Sequence, residues 1–312
     1  MPEQLFLFIQ MEFPWALGPP DGRYLLRAPR DAEPEHVVVL NTLAAQRSAG
    51  ARGAPRGRPR RLLRNRPAAR TQATPEPAAV ATARATIVDP VSVSAERQAR
   101  AWMSELDPGR DVGAAVAVLN RLLHSHRIAS ADPYIHEVSP IQALVIRAGW
   151  GEGEQVAYGR WLHARELPAV ALDARRPTGA SAKRRLPGAR RTAALRPEER
   201  LAEMLAARGQ ALLCEELTLR ARLDLNHGRS AHAAIELDRA LAVAVPELRA
   251  EGRHDLALRI DELDQLRAGV SRQAQAAMPG GELSPEIEAD VVRHALERLE
   301  AALRARTAPG LG

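Results

Sequence analysis

LFLFIQMEF, residues 5–13, is a nearly continuous apolar run of strand length, and its reading decides how the chain begins to fold. Side chains alternate between the two faces of a strand, so Phe6 and Phe8 point one way and Leu5, Leu7, Ile9 and Met11 the other. Both sets are apolar, which predicts a strand buried on both sides. Downstream, Gly18-Pro19-Pro20-Asp21-Gly22 forms a turn and Arg23 to Arg27 returns as a second strand. His36 to Leu43 reads as a third. Thr86-Ile87-Val88 and Val91-Ser92-Val93 around Pro90 make a fourth strand, expected at an edge because proline cannot donate to a ladder. The predicted result is a small antiparallel sheet.

Helices follow. Ser94, Arg97 and Trp102 open one that ends near Asp107-Pro108-Gly109. Asp111 is expected to cap the next, whose Val112, Val116, Leu119, Leu122 and Leu123 recur at helical spacing. Ser139-Pro140-Ile141-Gln142 has the form of a capping box with proline at the first helical position. Residues 143–149 suit a strand or a helix, and Glu154 to Glu166 is predicted helical. Gly149, Gly151 and Gly153 alternate without the GxGxxG or GxxxxGK[ST] pattern, and Glu152 and Glu154 would repel a phosphate; a bend is expected there.

All ten aromatic residues lie between Phe6 and Trp161, which separates an aromatic-containing core from an aliphatic one. Charge draws the same boundary. Residues 46–70 hold nine arginines and residues 175–196 eight Arg or Lys, with no acid in either stretch. Setting those 17 charges aside turns the formal +6 into −11, so the folded parts are acidic and no basic folded face is expected. The predicted organisation is an α+β module at 1–167 with a disordered basic insert at 46–78, a basic linker at 168–196, an all-helical module at 197–306 and a disordered tail at 307–312. In the second module, Leu201, Met204 and Leu205 begin the first helix. Leu213, Leu217 and Leu223 follow after Gly209. Ile235, Leu237 and Leu241 mark the next helix, and Leu256, Ile260, Leu263 and Val270 the one after. Pro279-Gly280-Gly281 breaks the chain and Ser284-Pro285-Glu286 restarts it. Ala289, Val292, Leu296, Leu299 and Leu303 then form an a/d seam too short for an autonomous coiled coil, so packing within a bundle is expected.

Gly228, Ala233, Leu237, Ala240 and Leu241, with small Ala221 before them, place part of this module in resemblance to a tetratricopeptide repeat over about 214–247. The resemblance implies a helical hairpin that stacks on its neighbours. It departs at Pro246, one place late for the closing proline, and at the aromatics, which are missing. Pro55-Arg56-Gly57-Arg58-Pro59 resembles the core of an AT-hook, with Arg60 and Arg61 adding charge. That resemblance implies entry of Arg56, Gly57 and Arg58 into an AT-rich minor groove.

His124, His126 and His136 are the candidates for a metal site, with Asp132 and Glu137 nearby. The 124/126 spacing points those two rings to different sides of a helix, so no metal is expected. Cys214 is the only cysteine, which excludes an intrachain disulfide and predicts a buried, inert thiol. No stretch approaches the ~20 apolar residues of a membrane helix, and the N-terminus lacks the basic region of a signal peptide. No nucleophile elbow, HExxH pair or isolated carboxylate pair is present. The expectation is therefore a cytoplasmic, cofactor-free, non-enzymatic interaction or scaffolding protein. Its helical module would bind a protein partner or a second copy. A DNA-associated protein making weak, non-specific contacts through the basic tethers is the alternative, and an enzyme working through 124–154 the third.

Overall fold

β1 (Leu5–Phe13) lies in the middle of a six-stranded sheet because both its faces demand burial: Phe8 is 1% exposed, and Leu5, Met11 and Phe13 are fully buried. The other strands are β2 (Gly22–Leu26), β3 (His36–Leu43), β4 (Thr82–Val88), β5 (Val145–Glu152) and β6 (His163–Glu166). Their order is β2-β3-β4-β1-β5-β6, and every neighbouring pair is antiparallel. The computed structural model describes residues 4–28, 33–43, 82–167, 197–278 and 287–307. The expectations for 46–78, 168–196, 279–281, 284–286 and the tail beyond Thr307 fall outside the described residues.

Several expectations for this module need correction. The fourth strand is internal, between β3 and β1, and ends at Val88, before Pro90. Proline therefore terminates the ladder instead of marking its edge, and Val93 only bridges back to Leu5. Residues 145–152 form β5, which decides the open reading in favour of a strand. Gly149 and Gly151 lie within that strand, and only Gly153 turns, with φ +55°. Residues 154–166 are not one helix: a 3-10 turn at Gly153–Tyr158 is followed by β6. Val156 and Ala157 pack on the sheet while Tyr158 and Leu162 are exposed, so no helical stripe runs through the segment, and Gly159 stops the turn at φ +84°.

One face of the sheet is covered by α1 (Glu96–Glu105), α2 (Pro108–Ser130) and α3 (Pro197–Leu205). α2 buries Val112, Val116, Leu119, Leu122 and Leu123, each worth about 1.5–3 kcal/mol when removed from water. Its cap is Asp107, not Asp111. The Asp107 side chain accepts from Arg110 N (2.9 Å), while Asp111 in the first turn accepts from Asp107 N (2.8 Å). α3 also joins this core, burying Leu201 and Leu205 in it and accepting Arg27 N–H at the Leu205 carbonyl (2.8 Å). The opposite face carries a smaller cluster, with Phe8, Val37, Val39 and Val88 beneath Val156 and Ala157 of the 3-10 turn.

The helical module continues with α4 (Leu213–Asn226), α5 (Ser230–Ala250), α6 (Ala257–Ala276) and α7 (Ala289–Thr307). α4 and α5 form the expected hairpin through Gly228, whose φ of +72° suits glycine. Ala221, Ala233 and Ala240 are fully buried where the helices cross, which lets the backbones approach closely. α5 runs through Pro246 instead of closing at it. In α7 the buried stripe is Val292, Ala295, Leu296, Leu299 and Ala302, wider than an a/d seam and typical of a bundle helix. Among the described residues no helix is long and apolar enough to cross a membrane.

Candidate functional site

Two concavities stand out. The first is a polar cleft of about 240 Å³ between α2, the loop after it and α4, lined by His124, Arg127, His136, Glu137, Glu216 and Arg220 among others. Helical spacing puts His124 and Arg127 on the same side of α2, while Ala131, in the left-handed region at φ 49°, turns the loop back over them. Glu216 is the centre of the cleft. Its Oε1 accepts from Arg127 (2.7 Å) and Arg220 (3.0 Å), and its Oε2 is buried without a hydrogen-bond partner, 3.9 Å from His124 Nδ1. At that distance the histidine is not hydrogen-bonded to the carboxylate. The charges compensate one another, and the arrangement ties the two modules together.

The three histidines of the sequence cluster do not converge. His124 and His136 line the cleft, whereas His126 turns to the other side of α2, beside the Gly18 backbone. Among the described residues no group of three His, Cys, Asp or Glu is placed to hold a metal ion. Asp132 is occupied as a turn acceptor for Tyr134 N (2.9 Å). Cys214 is fully buried, and burial and the Glu247 carboxylate push its thiol pKa upward, as suits an inert side chain. Arg56, Gly57, Arg58, Arg60 and Arg61 lie outside the described residues.

Burial holds His126 below its ordinary pKa, against the opposing pull of Asp132 and the Gly18 backbone. His136 is lowered by burial and by Arg127, opposed by Asp132 and Glu216. The folded state thus binds fewer protons than the unfolded chain. The stability these histidines contribute is complete above the ordinary value of 6.5 and is lost as pH falls below it. The melting temperature is expected to drop as pH falls below about 6.5. Replacing His126 by Gln should flatten that part of the profile; an unchanged slope in both His126→Gln and His136→Gln would refute the assignment.

The second concavity is a groove of about 510 Å³ between α6 and α7. Leu266, Gly269, Val291 and Ala295 line it, with Gln265, Arg272, Asp290 and His294 at the rim. Polar clasps close its ends: Glu262 pairs with Arg298 at one, and Gln273 donates to Glu288 (3.2 Å) at the other. Between the clasps the walls carry Gly269 and Ala295, which are too small to fill the space. No periodic pattern in the sequence marks this groove, although a glycine inside a helix, at a cost of about 1 kcal/mol, is a signal of some packing or functional need. Glu216, Arg127 and Arg220 were equally unannounced, because 89 residues separate Arg127 from its partner.

Comparison with protein-family models, curated proteins and solved structures gave no match.

Proposed function

We propose that the protein is a non-enzymatic interaction or scaffolding protein whose helical module docks a protein in the α6–α7 groove. The observation that carries this reading is the groove itself, apolar within, polar at the rim and open to solvent on the outer side of the bundle. Such a hollow suits an apolar anchor side chain, the commonest centre of a protein interface. The smaller inter-module cleft is lined mainly by charged and polar side chains and offers an apolar anchor less to hold.

A Cβ at Gly269 would meet Val291 at 3.8 Å, an ordinary contact, so larger side chains here fill the groove without disturbing the helix backbone. Gly269→Trp is therefore expected to fold normally and to abolish partner binding. The check is quantitative capture on immobilised wild-type and Gly269→Trp protein, from an extract of the native host with untagged protein present. Species retained by the wild type and lost with the variant are expected. Identical retention by both would sink the proposal.

A further inference from the structure

The outer side of α6 carries a second unusual feature. Leu258 is 86% exposed, the most exposed large hydrophobic side chain among the described residues. Leu258, Glu262, Gln265, Gly269 and Arg272 follow one another at steps of four, three, four and three, so they lie on one stripe of the helix. Asp255, in the 3-10 turn that leads into α6, extends the stripe by one more step of three. The stripe thus holds a protruding leucine near one end and, about 16 Å away at 1.5 Å per residue, the groove around Gly269.

We propose that this protein forms a two-fold symmetric homodimer in which α6 pairs antiparallel with α6 of a second copy. The inference rests on the groove being a docking surface and names its occupant. The stripe is self-complementary when reversed upon itself about a point between Leu263 and Asp264. Leu258 then meets the partner's Gly269 and enters the hollow formed with Leu266, Val291 and Ala295. Glu262 meets the partner's Gln265, an acceptor opposite an amide donor. Asp255 meets the partner's Arg272, giving an ion pair at each end. Arg272 makes no hydrogen bond or ion pair within its own chain among the described residues, and Asp255, half exposed, already accepts from Arg253 at both carboxylate oxygens (Nε to Oδ1 3.0 Å), so the partner's Arg272 would join an existing pair from its open side. A two-fold interface demands this reciprocity: whatever residue i meets, that residue must meet i. Leucine opposite glycine, base opposite acid and amide opposite carboxylate satisfy it at all three levels of one stripe. The leucine supplies the apolar anchor and the end charges fix the register.

Sedimentation of the purified full-length protein should show a concentration-dependent dimer. Leu258→Glu should leave the melting temperature of the monomer unaltered, because the side chain is solvent-exposed in the free chain, and should abolish the dimer. Arg272→Glu should raise the dimer dissociation constant roughly tenfold by placing like charges together. The register has its own test, since a disulfide needs Cα atoms within about 7 Å. The paired change Leu258→Cys with Gly269→Cys should cross-link two chains under mild oxidation, whereas Leu258→Cys alone should not. A wild-type protein that stays monomeric at every concentration, or a dimer that survives Leu258→Glu, would overturn the proposal. A monomer whose capture of a different protein is lost in Gly269→Trp would overturn self-association while leaving the docking reading intact.

Discussion

Gly149→Ala is expected to lower stability by about 3 kcal/mol, at the upper end of what overpacking costs, and to release β6. A Cβ at this position would stand 2.2 Å from the His163 carbonyl oxygen, 2.9 Å from Ala164 Cα and 2.9 Å from the Phe8 ring. Two of these three atoms belong to the backbone of the adjacent strand, which can move only by giving up its ladder with β5. Trp150 provides the readout, because its ring stacks on His163 with centroids 4.4 Å apart; its fluorescence should change with the departure of β6. A domain of this size should melt roughly 6–12 °C lower for such a loss. Gly113→Ala is the matched control. Gly113 lies in α2 with nothing within 4 Å of an added Cβ, so alanine there should raise stability by about 0.5–1 kcal/mol. Two variants with the same melting temperature would refute the packing of β5 against β6.

The second large effect is expected at Glu215, which is 5% exposed where three helices meet. Its carboxylate takes Arg200 from α3, Arg306 from α7 (3.4 Å) and the Leu212 N–H at the start of its own helix (2.9 Å). Glu215→Ala would leave both guanidinium groups partly buried without this counter-charge. Removing one partner of such a buried arrangement costs about 3–5 kcal/mol. The lower figure applies here, since Arg306 retains Glu251 and Arg200 retains the Ile128 carbonyl. Glu215→Gln keeps an acceptor for Leu212 N–H but not the charge, and should fall between wild type and Glu215→Ala in thermal or urea unfolding. The loss should be felt first at α3, which Arg200 anchors. Equal stability of all three proteins would show that the clasp contributes nothing.

β1 was legible from residues 5–13 because its alternation places apolar side chains on both faces, a pattern only a central strand can bury. The aliphatic helices after Pro197 were legible for a similar reason: their apolar residues recur at three and four, and a bundle is the ordinary way to hide such stripes. Less of the 145–166 region could be read. Its glycines signalled a bend locally, yet two of them are there because β6, Val156 and Trp161 come too close to admit a Cβ. That demand comes from a neighbouring strand and leaves no periodic trace.

The same distinction separates what each level determined. Local periodicity and composition, acting over ten or twenty residues, determined the fold class, the central strand and the helical hairpin of α4 and α5. Tertiary structure alone decided the place of β4 inside the sheet, the docking of α3 on the first module and the separation of His126 from His124 and His136. It also made the groove between α6 and α7. Each of these depends on which surfaces meet across tens of residues of sequence. Side-chain spacing along one element records which face is apolar, but carries no information about the partner that will cover it.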